Sequence, residues 1–129
     1  MSRNNIQKPT EAELEIVSIL WQRGTATVRE VHEIINERRP TAYTTVLKTL
    51  QIMTEKDLVE RETDQKAHVY RAKIEQAATE RTFAEDLLRR VFGGSAAQLV
   101  MRVLETKPAS DEELAQIRQM LDEAEGKTK

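Results

Sequence analysis

The chain has 129 residues, one third of them charged, few aromatics and a net charge of −2. That length suffices for one domain or two small ones. With no cysteine it can form neither disulfides nor zinc–thiolate sites nor a thiol nucleophile, and no run of 18 apolar residues is present to span a membrane.

Residues 1–8 are polar and lack the apolar core of a signal peptide, so a cytoplasmic location is expected. Thr10 and Glu13 stand at capping-box spacing. Leu14, Ile16, Val17, Leu20 and Trp21 then repeat at helical period, and Gly24 follows as a terminator, which predicts a first helix over 11–23. Thr25-Ala26 is short and extended. Thr27 and Glu30 form a second capping box, and Val28, Val31, Ile34 and Ile35 give the apolar face of a helix over 28–37. Arg38-Arg39-Pro40 ends it. Thr41 is expected to cap a third helix over 42–56, closed by Lys56-Asp57 where glycine would be easier.

That third helix has two unlike faces. Val46, Leu47, Leu50 and Met53 fall together as an apolar stripe, while Thr41, Thr44, Thr45, Lys48 and Thr49 point the other way. Short threonine side chains let a helix approach a base edge closely, donate to phosphate, or pack a methyl against thymine. A solvated face that happens to be threonine-rich is the plain alternative.

The period then changes. Residues 58–62 and 67–72 are strand-like, with a polar turn, Thr63-Asp64-Gln65-Lys66, between them. Three helices followed by a β-hairpin make a winged helix-turn-helix, with the third helix in the recognition position. The expected fold is therefore mainly α with one small hairpin: an N-terminal winged helix over 8–73 and a C-terminal helical dimerisation domain over 74–125. In the latter, Phe83, Leu87, Leu88 and Val91 line a helix over 76–92. Gly93-Gly94 breaks it, Ser95 caps a second helix bearing Leu99 and Val103, and Pro108 breaks that. Ser110 and Glu113 form a third capping box before Leu114, Ile117 and Leu121, whose spacing approaches a heptad seam. So small a helical segment buries its stripes most economically against a second copy, and a two-fold dimer would present two recognition helices to an inverted repeat. The alternative is a helical cap on its own winged helix.

The charge balance qualifies this. Residues 1–72 carry 11 Lys and Arg and 11 Asp and Glu, so DNA binding must come from local patches. Candidate DNA contacts are Arg38, Arg39, Thr41, Tyr43, Thr44, Thr45 and Lys48 around the third helix, and Lys66, His68 and Arg71 in the wing. The amides at the start of the third helix offer an anion site. Strand alternation puts His68 and Tyr70 on one face and Val69 and Arg71 on the other, so they cannot all reach DNA, and Tyr70 is expected to pack on the third helix. His32-Glu33 lacks the second histidine of a zinc-protease motif, no Gly-rich phosphate loop exists, and no cofactor or metal is expected. The rival reading is a winged helix used for protein–protein contact without sequence-specific DNA binding; even charge balance favours it and the Thr-rich helix face opposes it.

With these elements in line, the chain resembles the penicillinase repressor family (BlaI/MecI type). The resemblance is carried by Pro9 to Glu15 with Leu20-Trp21, Thr25 to Val31, Ala42 to Leu47 with Leu50, Lys56 to Val59, Tyr70, Phe92 to Ser95 and Ser110 to Leu114. It implies a dimeric repressor of inverted-repeat operators, released in many members when a membrane-bound sensor protease triggers its cleavage. Three positions depart from the family. Asp57 replaces the usual glycine before the wing, Ile52 stands where a basic residue is common, and Arg102-Val103 occupies the place of the cleaved Asn-Phe bond.

Overall fold

The computed structural model describes residues 8–64 and 67–127. Thr10 opens α1 (Glu11–Arg23): its hydroxyl accepts from the Glu13 amide and the Glu13 carboxylate accepts from the Thr10 amide. Thr27 and Glu30 repeat the arrangement at the start of α2 (Val28–Arg38). Both capping boxes satisfy orphan amides reciprocally, so these helix starts are fixed by local sequence. α3 runs Tyr43–Glu55, β2 Val59–Asp64 and β3 Ala67–Ala72.

Thr25-Ala26 was expected only to be extended; one residue on, Ala26–Thr27 forms a strand, β1, in an antiparallel sheet of order β1-β3-β2. Ala26 pairs with Tyr70 and Thr27 with Val69, while Arg61 faces Tyr70 from the other side. The wing is thereby tied to the connection between α1 and α2. β2 also continues two residues past its expected end, to Asp64. Between α3 and β2, Asp57 takes the left-handed conformation at φ 64°, and the Leu58 amide returns to the Met53 carbonyl at 2.9 Å. An aspartate tolerates that region better than most residues, which is why glycine can be replaced here.

The core is made by Ile16, Val17, Ile19 and Leu20 of α1, Val28, Val31 and Ile35 of α2, Val46, Leu50 and Met53 of α3, and Ala26, Leu58, Val59 and Tyr70. Trp21 packs at its margin, and its indole N–H donates to the Ile74 carbonyl at 3.1 Å. Among the described residues one charged side chain is buried with this core. Glu13 is 4% exposed, and its carboxylate accepts from the Lys56 ammonium at 2.9 and 3.1 Å. Burial alone would raise its pKa, but the Lys56 bond and the Thr10 amide outweigh that and hold it below the usual carboxylate range.

The chain divides between Glu80 and Arg81 into two compact units, a boundary inside α4 (Gln76–Arg90). The second unit continues with α5 (Ala96–Thr106) and α6 (Asp111–Lys127). α4 ends at Arg90, two residues before the expected point, and Gly93 and Gly94 both take positive φ, which side chains resist. The Ser95 hydroxyl caps α5 by accepting from the Gln98 amide, and the Ser110 hydroxyl accepts from the Glu113 amide. No described residue after Tyr70 is buried.

Candidate nucleic-acid interface

α3 divides as its sequence periodicity requires. Val46, Leu50 and Met53 are buried and Leu47 half-buried, while Thr44, Thr45 and Lys48 are exposed. Among the described residues, the side chains of these last three have no hydrogen bond or ion pair, so two hydroxyls and one ammonium are free to meet a ligand. Thr49 is different: it is half-buried and its hydroxyl donates to the Thr45 carbonyl at 2.8 Å. Two further residues on the outward face escaped the sequence reading as contacts. Gln51 and Ile52 are exposed one turn beyond Lys48. The spacing of Thr44, Lys48 and Gln51, four and then three residues, is the signal that could have found Gln51.

The start of α3 corrects the expected role of Thr41. The N-cap is Ala42, with no side-chain cap, and the helix begins at Tyr43. The Thr41 hydroxyl donates instead to the Arg39 carbonyl at 2.8 Å, its amide to Asn36 Oδ1 at 2.8 Å, and its carbonyl accepts from His32 Nε2 at 2.7 Å. A carbonyl only accepts, so Nε2 carries the proton. Thr41 therefore fixes the turn rather than offering a donor outward. Competition from the turn itself explains the miss, because a threonine hydroxyl bonds equally well to a nearby carbonyl. The amides of Tyr43 and Thr44 remain without a protein acceptor among the described residues. Tyr43 is 45% exposed, with its ring edge-on to His32 at 5.8 Å between centroids.

The three candidate arginines are not bare. Arg38 Nη1 lies 2.9 Å from Glu15 Oε2, and Arg39 Nη2 lies 2.6 Å from Glu15 Oε1. The Arg39 hydrogen bond is the largest influence on the Glu15 carboxyl; burial opposes it, and with the Arg38 bond and both positive charges added the carboxyl is held below its usual range. In the wing, Arg71 reaches Glu60 at 2.9 Å and Glu62 at 2.6 Å, and these contacts raise its already high pKa. His68 is exposed, with Nδ1 3.2 Å from the Thr63 hydroxyl. Tyr70 is buried in the core. Lys66 lies outside the described residues.

In the second unit the candidate dimer residues divide into two sets. Phe83, Leu88, Leu99, Leu114 and Ile117 are half-buried, and Leu87, Val91, Val103 and Leu121 are exposed. Val91 at 64%, Val103 at 54% and Leu121 at 60% exposure are large apolar side chains in open solvent.

The sequence matches the penicillinase repressor family over residues 9–123. The chain belongs to the penicillinase repressor family. It is similar to the methicillin resistance regulatory protein MecI of Mammaliicoccus sciuri, 22% identical over 119 residues that cover 92% of this chain and 97% of that protein. The penicillinase repressor of Bacillus licheniformis is 22% identical over 124 residues, covering 96% and 97%. A shorter match, to the transcriptional regulator BlaI of Mycobacterium tuberculosis, is 43% identical over 61 residues, or 46% of this chain and 44% of that one. Among solved structures, the oxidised form of MarR from E. coli matches with a TM-score of 0.53 and 15% identity, covering 90% of this chain and 75% of that chain. This likeness supports the winged-helix fold. The penicillinase repressor family is one of transcriptional regulators.

Proposed function

We propose that this chain is a transcriptional repressor that binds an inverted-repeat operator as a homodimer, in the cytoplasm, and blocks a promoter by occupying it. The observation that carries the reading is the outward face of α3, where Thr44, Thr45, Lys48 and Gln51 stand exposed on a helix whose opposite side is locked into the core. Thr44 and Thr45 would pack against thymine methyls or donate to phosphate, Lys48 would reach guanine or phosphate, and the Gln51 amide would read adenine. The unpaired amides of Tyr43 and Thr44 would receive a phosphate at the helix start.

The dimer is supported by the second unit. Its helices carry apolar stripes, yet it buries none of its described residues, as expected of a segment completed by a second copy. The proposal asks no chemistry of the chain itself. Cleavage at an Asn-Phe bond is not part of it, because Arg102-Val103 stands at that position and Asn4, Asn5 and Asn36 are the only asparagines. Sedimentation equilibrium, alone and with a duplex recovered by selection, tests the proposal. A dimer that stays two protomers per duplex is expected, and a monomer on a single half-site would contradict it.

A further inference from the structure

The carboxylate of Glu15 lies between the two guanidiniums that precede α3. Its side chain is 19% exposed, while those of Arg38 and Arg39 are about half exposed. It accepts three hydrogen bonds, from Arg38 Nη1 at 2.9 Å and from Arg39 Nη1 and Nη2 at 3.2 and 2.6 Å. Two positive charges and one negative leave this cluster with a single net positive charge. A carboxylate and a phosphate offer a guanidinium the same forked pair of acceptors. An incoming phosphate must therefore compete with Glu15 for groups already bound. The wing repeats the arrangement independently, with Arg71 held by Glu60 and Glu62. Lys48, in contrast, stands on the α3 face without such a partner among the described residues.

We propose, building on the reading that this chain binds DNA, that Glu15 is a specificity-determining residue: it withholds Arg38 and Arg39 from the phosphates of non-operator DNA. Non-specific binding is almost wholly phosphate neutralisation and counterion release, whereas an operator complex adds base-edge contacts. Withdrawing two cations per protomer thus weakens non-operator binding most. At the operator, contacts from α3 hold the phosphates in place long enough for the arginines to exchange Glu15 for them. The even charge balance of residues 1–72 then serves discrimination rather than opposing DNA binding.

The test uses the full chain, a duplex recovered by selection and a scrambled duplex, with affinities measured between about 50 and 200 mM salt. Glu15→Gln keeps the side chain's size and removes its charge. It is expected to bind the scrambled duplex about tenfold more tightly at the low-salt end, with a log–log salt slope steeper by up to about two per protomer. Its preference for the selected duplex should fall. The double variant Arg38→Gln/Arg39→Gln provides a second check: weaker binding to the selected duplex, with the scrambled duplex's salt slope falling by no more than about one per protomer. An unchanged scrambled-duplex affinity in Glu15→Gln overturns the proposal, and so does a loss on both duplexes, which would make Glu15 a support for the arginines. If the unaltered protein binds neither duplex, the DNA-binding reading itself fails, and the proposal with it.

Discussion

Removing Lys56 should destabilise the winged helix far more than its place near the surface suggests. Lys56 is the C-cap of α3, and its ammonium ends on Glu13 in the first turn of α1, so one ion pair ties the recognition helix to the first helix. Lys56→Met leaves a carboxylate that is 4% exposed with only its Thr10 bonds. Two hydrogen bonds to a charged group are lost, at 2.9 and 3.1 Å. Breaking a fully buried pair costs about 3–5 kcal/mol. The Lys56 side chain is 28% exposed, so water reaches the vacated position, and the expected loss is about 2 kcal/mol. Glu13→Gln keeps an oxygen for the Thr10 amide and strands no carboxylate, so about 1 kcal/mol is expected. The double variant should be no worse than that single one, which makes the pair non-additive. Urea unfolding followed by the fluorescence of Trp21, the chain's one tryptophan and part of the same unit, reads these differences. pH supplies a second signature. Because the folded pKa of Glu13 is depressed, its stabilisation is present above the unfolded glutamate value of about 4.3 and is lost as pH falls through the folded value. Glu13→Gln should lack that component. A Lys56→Met variant within about 0.5 kcal/mol of the unaltered protein would refute the reasoning.

The remaining predictions concern binding and assembly. Lys48→Ala should weaken binding to the selected duplex by roughly 1–3 kcal/mol in a mobility-shift titration, and an unchanged affinity would remove Lys48 from the interface. Gln51→Ala should relax the preference at one base pair per half-site by about 1–3 kcal/mol, read by repeating the selection; an identical selected sequence would assign Gln51 to the solvated face. Val103→Asp places a charge on an exposed apolar stripe of α5 and should shift sedimentation from dimer to monomer while leaving urea unfolding at Trp21 within about 0.5 kcal/mol.

How far the sequence could be read depended on how local each interaction is. The boxes at Thr10 and Thr27 were legible because donor and acceptor lie three residues apart, and both form. The stripe of Val46, Leu50 and Met53 was legible because helical period and burial coincide. Tyr70, expected to pack on the third helix, is buried in the core. Thr41 misled because its hydroxyl had two local choices, the helix amides or the Arg39 carbonyl, and residue type does not decide between them. β1 was too short to show a period of its own and exists through pairing with β3, more than 40 residues away. The partners of Arg38, Arg39 and Arg71 were hidden for the same reason. Glu15 precedes its arginines by more than 20 residues, and the wing carboxylates meet Arg71 only across the hairpin.

The central claim is that the face of α3 reads a DNA sequence in two copies. Selection of duplexes from a random library by the folded protein tests it most directly. Enrichment of an inverted repeat is expected, its two half-sites spaced by about one helical turn or a multiple of it. Failure to enrich any sequence at low salt, by protein whose unfolding at Trp21 is cooperative, would contradict it and turn the winged helix into a surface for another protein.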